Sequence, residues 1–276
     1  MMRPLLSALL GTVVVSALNA AESVMLAEPD VKLGLKIEAT TSAKGGKAIS
    51  SGAAGTTEQT VDVSRHRVIQ RTMHPDAIGG EVTYRFLQDR IITVVDGKTE
   101  SSSGALDGKV AKGLRNGAGN WTFTLADGTA TGDEVGQLEL AGGFENRHWL
   151  PGKKVEVGES WNFSPNFIRS SLKLDLPAPE VSGVMTLREI GKAPDGGRQA
   201  IIDLFIRGGG KEFLPDGGVK KADGGLTGNL TVNLDRPGQM RMHLTGKLAT
   251  GSREGGESAG ALLPLTMSVK IDPMGN

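Results

Sequence analysis

The feature that most limits this chain is a hydrophobic period of two, cut by glycine at short and irregular intervals. It is clearest over Leu226–Leu234, where even positions are Leu, Gly, Leu, Val and Leu while odd positions are Thr or Asn. Such alternation buries one face of an extended strand and wets the other. Asp235-Arg-Pro-Gly238 follows as a turn, and Met240, Met242, Leu244 and Leu248 then alternate with polar residues. For the two apolar sets to share a face, an even residue must pair with an even residue, which requires an odd loop or a bulge. The same period runs through Leu263, Leu265, Met267, Val269 and Ile271, and through Val31, Leu33, Leu35 and Ile37.

Further strands are predicted over 59–70, 80–87, 90–95, 109–114, 120–125, 153–157, 181–190 and 199–206. Asp-Gly pairs starting at Asp96, Asp107, Asp127, Asp195, Asp216 and Asp223 supply turn chemistry. Helix is expected only at Asp133–Leu140 and Pro165–Leu172, the second with Ser164 as cap and Pro165 in the first turn. The predicted fold is therefore all-β, mainly antiparallel, with about twelve strands: a curved sheet or half-open barrel with one or two short helices. Residues 42–57, 208–225 and 251–260 are rich in small residues and glycine without an apolar period, and are expected to be loose surface loops.

Residues 1–20 carry one Arg, an apolar stretch over 5–17 and Leu18-Asn19-Ala20 before Ala21-Glu22. This is the layout of a secretory signal peptide cleaved after Ala20, and its apolar run is shorter than a bilayer-spanning helix needs. The expected product is a single antiparallel domain over 21–276, exported to a periplasmic or extracellular space, with no integral span once the leader is removed. The sequence of 276 residues has no Cys, which excludes disulfides, thiolate metal sites and a Cys nucleophile. Lys and Arg total 31 against 31 Asp and Glu, so there is no basic surplus for nucleic acid.

Several motifs invite a catalytic reading. Gly256-Glu-Ser258-Ala-Gly260 matches G-x-S-x-G, yet the nucleophile elbow needs a strand before the Ser, a helix after it and a His further on, and the last histidine is His243. His66, His74, His148 and His243 show no ligand spacing, and no cofactor motif occurs. Arg65, His66, Arg67, Arg71 and Arg85 read either as a basic patch for a carboxylate or phosphate, or as a solvated strand face. Asp133, Glu134, Glu139 and Glu145 could supply paired carboxylates, with nothing to single out a pair.

Ala105-Leu-Asp-Gly-Lys-Val110, Gly119-Asn-Trp-Thr-Phe-Thr-Leu125 and Trp149-Leu-Pro-Gly-Lys-Lys-Val-Glu-Val-Gly-Glu-Ser-Trp161 together span about 60 residues. They resemble a phrase found in exported bacterial proteins of unknown function, loosely similar in plan to the half-barrels of Lol-type lipoprotein carriers. The resemblance implies a long curved sheet whose concave face holds acyl chains, and it implies no catalytic residue. Within the phrase, Pro151-Gly152 should turn, Val155 and Val157 form a strand, Gly158 bend it and Trp161 return to the core.

The leading expectation is an exported, non-enzymatic protein, without cofactor or metal, that binds an apolar or lipid-like ligand or an envelope protein on a concave sheet. Leu230, Val232, Leu234, Met240, Met242 and Leu244 are its candidate ligand-facing residues, the methionines because flexible thioethers suit a variable guest. The same residues could instead pack a closed core. Two other classes remain: a hydrolase of envelope polymer or ester, and a structural or adhesive module.

Overall fold

The structure, a computed structural model, describes residues 22–28, 34–74, 80–146, 149–162, 176, 180–194, 196–215, 217–254 and 256–274. In chain order the elements are β1 (Ser23–Leu26), β2 (Leu35–Gly52), β3 (Gly55–His74), β4 (Glu81–Val95), β5 (Lys98–Ser103), β6 (Val110–Arg115) and β7 (Trp121–Leu125). There follow α1 (Asp133–Glu145), β8 (Lys153–Glu156), β9 (Ser160–Asn162), β10 (Glu180–Lys192), β11 (Arg198–Phe213), β12 (Val219–Asn233), β13 (Met240–Glu254) and β14 (Glu257–Pro273). Twelve strands form one antiparallel sheet in the order β7-β6-β4-β3-β2-β14-β13-β12-β11-β10-β9, with β5 beside β4. It does not close into a barrel: β7 and β9 lie at opposite ends of that order. β1 and β8 make a separate two-stranded ribbon.

The predicted alternation sets the register. Leu230 pairs with Met242 and Val232 with Met240, even with even, across the odd turn. The row continues Met240–Ile271, Ile271–Ile37 and Ile37–Ile69, so one face carries an apolar set from strand to strand. That face holds the core: Met185, Leu187, Ile202, Ile206, Leu226 and Leu230 toward one end of the sheet, and Val82, Tyr84 and Phe86 toward the other. Leu26, Trp149 and Val155, from the ribbon and its flank, bury themselves in the same cluster. Residues of β4 and β10 can share one core only because the sheet curls toward this face, which is therefore concave.

Two glycines sit where β12 and β13 are most closely pleated. A Cβ on Gly228 would collide with the His243 carbonyl, and one on Gly246 with that of Gly225. Bulges at Val68/Ile69, Leu187/Glu189, Ala43/Gly46 and Leu262/Leu265 add local twist. The first of these joins the two strands predicted at 80–87 and 90–95 into the single β4.

The segments expected to be loops are strands. Residues 42–52 and 55–57 belong to the β2–β3 hairpin, 208–213 and 219–225 to β11–β12, and 251–254 and 257–260 to β13–β14. They lack a visible apolar period because their buried inward positions are small residues such as Ala43, Gly46, Gly208, Ala222 and Gly224, and because the hairpin tip at 55–60 is exposed on both faces, while the backbone ladder continues through them. Asp223-Gly224 likewise lies inside β12, opposite Gly209 and Ala249, and makes no turn. Asp96-Gly97 does turn, with φ of 48° and 81°, as do Gly108 and Gly128 in the left-handed region.

The helix predicted at 133–140 runs on to Glu145, where Arg71 and Tyr84 hold it. In the 149–161 phrase, Gly152 and Gly158 take φ of 69° and 90°, Val155 is fully buried, and Trp161 donates Nε1–H to the Trp149 carbonyl at 2.8 Å. Val157 falls after the strand and points to solvent. The 1–20 leader, residues 31–33 of the first predicted strand, and the helix at 165–172 lie outside the described residues.

Candidate functional site: the concave face of the sheet

Five of the six residues expected to face a ligand are core. Leu230, Leu244, Met240, Met242 and Val232 are between 0 and 7% exposed. Leu234 is half-buried, at the turn after β12. In the described arrangement these side chains pack against other side chains.

The apolar surface that stays partly open lies one strand away. Met242 pairs with Val269, Leu244 with Met267 and Gly246 with Leu265, and all three β14 side chains are half-buried. Leu248 and Leu263 continue the band in the same state. Across the next interface Leu265 faces Ala43, Met267 faces Thr41 and Val269 faces Ala39. Gly46 belongs to this small-residue row too, since a Cβ there would lie 2.7 Å from Leu263 Cδ2. A tall apolar wall on β14 thus stands beside a low floor of Ala39, Thr41, Ala43 and Gly46 on β2.

The far wall is charged. Ala43 pairs with Val63, Thr41 with Arg65 and Ala39 with Arg67, so both arginines share the concave face. Arg65 donates Nε–H and Nη2–H to Asp89 at 2.6 and 2.5 Å. Arg67 Nη2 reaches Asp89 at 3.2 Å and Gln137 of α1 at 2.5 Å, and its guanidinium lies 6.0 Å from the Phe86 ring centroid. Asp89 has no exposed surface, and its space exists because residue 104 is glycine: a Cβ there would collide with the carboxylate. Burial works to raise the Asp89 carboxyl, and the Arg65 and Arg67 guanidiniums outweigh it, leaving the group below its ordinary value. Arg67 is held below its own ordinary value by burial and by Arg65. Two guanidiniums against one carboxylate leave a surplus positive charge here, with Arg67 Nε buried and unpartnered.

Four residues further along β3, Arg71 (3% exposed) donates to both Glu145 oxygens at 2.7 and 3.1 Å, and Tyr84 donates its hydroxyl to the same carboxylate. Burial lowers the Arg71 guanidinium and Glu145 more than restores it, raising it overall. The basic patch and the solvated face considered for Arg65, Arg67 and Arg71 are both corrected: all three point inward as ion pairs, and only His66 and Arg85 face out. The parity of the strand carried this information, because Arg65, Arg67 and Arg71 share odd positions with Val61, Val63, Ile69 and Met73.

The other candidates fall elsewhere. Ser258 is exposed within β14, paired with Arg253 and Ser51, without the strand-to-helix turn of a nucleophile elbow. His243 and His66 lie on the convex face, with Nδ1 at 2.9 Å from Ser268 Oγ and 3.1 Å from Thr40 Oγ1. Among the described residues no group of three His, Asp or Glu is placed to hold a metal, and no helix is long and apolar enough to cross a membrane. Away from the concave band the described residues form one cleft of about 810 Å³ near Arg207, Lys221 and Asp223 and another of about 760 Å³ between β7 and α1. Neither a scan against models of protein families nor a search of curated proteins finds a match to this chain.

Proposed function

We propose that this chain is an exported, non-enzymatic binding protein that holds an apolar or amphipathic ligand along the concave face of its sheet. The observation that carries the reading is the half-buried band of Leu248, Leu263, Leu265, Met267 and Val269 beside the low floor of Ala39, Thr41 and Ala43. Apolar side chains left partly open on a concave surface gain about 25 cal/mol per Å² when a guest removes them from water. Small residues opposite them leave room for that guest, and Met267 adapts to its shape. The leader pattern over 1–20 supports export, and the resemblance of the 149–161 phrase points to the same class of envelope carriers.

The ligand-facing set is accordingly relocated from β12–β13 to β14 and β2, with Leu230, Val232, Met240, Met242 and Leu244 as the packed core on the strands beside it. Native mass spectrometry on the mature protein, purified without detergent, tests the reading. The expected result is a stoichiometric adduct of a few hundred daltons that is extractable by solvent and is lost in a folded Met267→Glu variant. A bare polypeptide mass, before and after incubation with palmitate and phosphatidylglycerol, would overturn it.

A further inference from the structure

Strand β7 ends the large sheet, and only one of its edges is used. It pairs with β6 through Ala111–Leu125, Lys112–Thr124 and Gly113–Phe123. In register with these, Asn116 N–H bonds the Asn120 carbonyl and Ala126 N–H the Val110 carbonyl. The alternation of an antiparallel ladder therefore gives even-numbered residues of β7 to β6 and turns the N–H and C=O of Trp121, Phe123 and Leu125 the other way. At Trp121 that side is occupied: Asn146 Oδ1 accepts its N–H at 3.1 Å, and a Cβ on Gly142 of α1 would lie 3.0 Å from its carbonyl. At Phe123 and Leu125 no backbone partner faces them among the described residues.

The cleft of about 760 Å³ opens beside this unpaired stretch. Phe123, Leu125, Ala130, Val135 and Leu138 give it an apolar lining, and Glu139, exposed, stands at its rim. Other edges of the sheet are protected in the usual ways. β5 carries Lys98 and Glu100, and β9 is three residues long. β7, Trp-Thr-Phe-Thr-Leu, has no charge and no proline.

We propose that the β7–α1 cleft is a peptide-binding site. An extended segment of another polypeptide adds as a strand at Phe123 and Leu125, whose donor and acceptor pairs lie about 6.8 Å apart, the two-residue repeat of any strand. Its apolar side chain seats against Val135 and Leu138, and a neighbouring lysine or arginine meets Glu139. The site is separate from the concave band and stands whether or not that band holds a ligand.

The test uses the full chain and a capped hexapeptide library, Lys-Xaa-Thr-Xaa-Thr-Xaa, with Val, Leu, Ile or Phe at Xaa. Each peptide is also made with its Xaa amides methylated, or its Thr amides methylated. Fluorescence anisotropy should find binders, and methylation of one amide set should weaken them at least about tenfold while the other set is tolerated, because only one edge of the peptide faces β7. Bound peptide should slow hydrogen exchange at the Phe123 and Leu125 amides, and the surface variant Glu139→Lys should weaken binding severalfold. No binder at millimolar concentration, equal binding by both methylated sets, or slowed exchange at β5 or β9 instead would overturn the proposal.

Discussion

The same long strands pass through two different environments. Between Leu226 and Val232, and between Met240 and Leu244, β12 and β13 lie on the core, and their inward side chains are almost fully buried. A few residues on, the inward positions of β12 shrink to Ala222 and Gly224, still buried but small, while Lys221 and Asp223 beside them and Thr250, Arg253 and Glu254 of β13 are exposed. The β2–β3 hairpin shows the same change: Leu35 and Ile37 are buried, whereas residues 55–60 are all exposed. Pairing remains in register through both halves. In the bare half, the ladder is joined by cross-strand contacts such as Ser50–Thr57 at 2.7 Å, Ser51–Thr56 at 2.9 Å and Lys47–Glu58 at 2.7 Å. Such pairs contribute only about 0.2–1 kcal/mol each. The packed half carries most of the large buried apolar side chains; the bare half is a continuation that hydrogen bonding extends from it.

That contrast can be broken most severely at its polar anchor. Asp89→Asn, at a position with no exposed surface, leaves the half-buried guanidiniums of Arg65 and Arg67 against a neutral amide, and should cost about 3–5 kcal/mol in urea unfolding. Leu230→Ala, with a side chain 0% exposed, should cost about 2–5 kcal/mol. Gly246→Ala drives a methyl into the Gly225 carbonyl and should cost about 1–3 kcal/mol, because backbone must move to admit it.

The pH dependence sharpens the same point. The Asp89 carboxyl is depressed in the folded state, so its stabilisation is fully present above the ordinary carboxylate value of about 3.9 and is lost as pH falls through the lower folded value. Unfolding free energy of the native protein should therefore fall more steeply below pH 4 than that of Asp89→Asn. An equal slope for the two would show that other carboxylates govern acid unfolding.

The smallest effect belongs to the bare half. Thr250→Ala should change stability by no more than about 0.5 kcal/mol. Amide exchange over 249–254 should be faster than over 240–244, since local opening there exposes little apolar surface. Exchange at the global rate in both halves would mean that the bare strands are part of the cooperative unit.

How far the sequence could be read follows from these halves. Where one face meets a core, as in 226–234, alternation is visible and fixes both strand and register. Where the inward positions are small, as at Ala43 and Gly46, or both faces are wet, as over 55–60, Ser, Thr, Ala and Gly carry no period, and a strand is indistinguishable from a loop until its partner is known. The inward arginines were legible by parity on β3. Their partners were not: Asp89 and Glu145 are brought to Arg67 and Arg71 by the β3–β4 register and by the placement of α1, which are properties of distant pairing. Leu265, Met267 and Val269 were recognisable as an apolar face, but whether such a face is covered or open depends on what lies across it. The bulk of Arg65 and Arg67 and the smallness of Ala39 and Thr41 decide that, and they belong to other strands.

The pairing of β14 with β2 gives the protein an order of assembly. Leu35 lies opposite Pro273, and the Gly34 carbonyl accepts from Met274 N–H at 2.8 Å, so the middle of the sheet is a seam between the segments farthest apart in the described chain. Hairpins on either side are local and can form as soon as their strands exist, whereas the seam must wait for β14 to be made and carries the largest loop-closure cost. The apolar band straddles that seam. A chain interrupted before Leu263 would therefore hold two half-sheets with the β2 and β13 edges unpaired between them, and its concave apolar band would stay incomplete until β14 arrived.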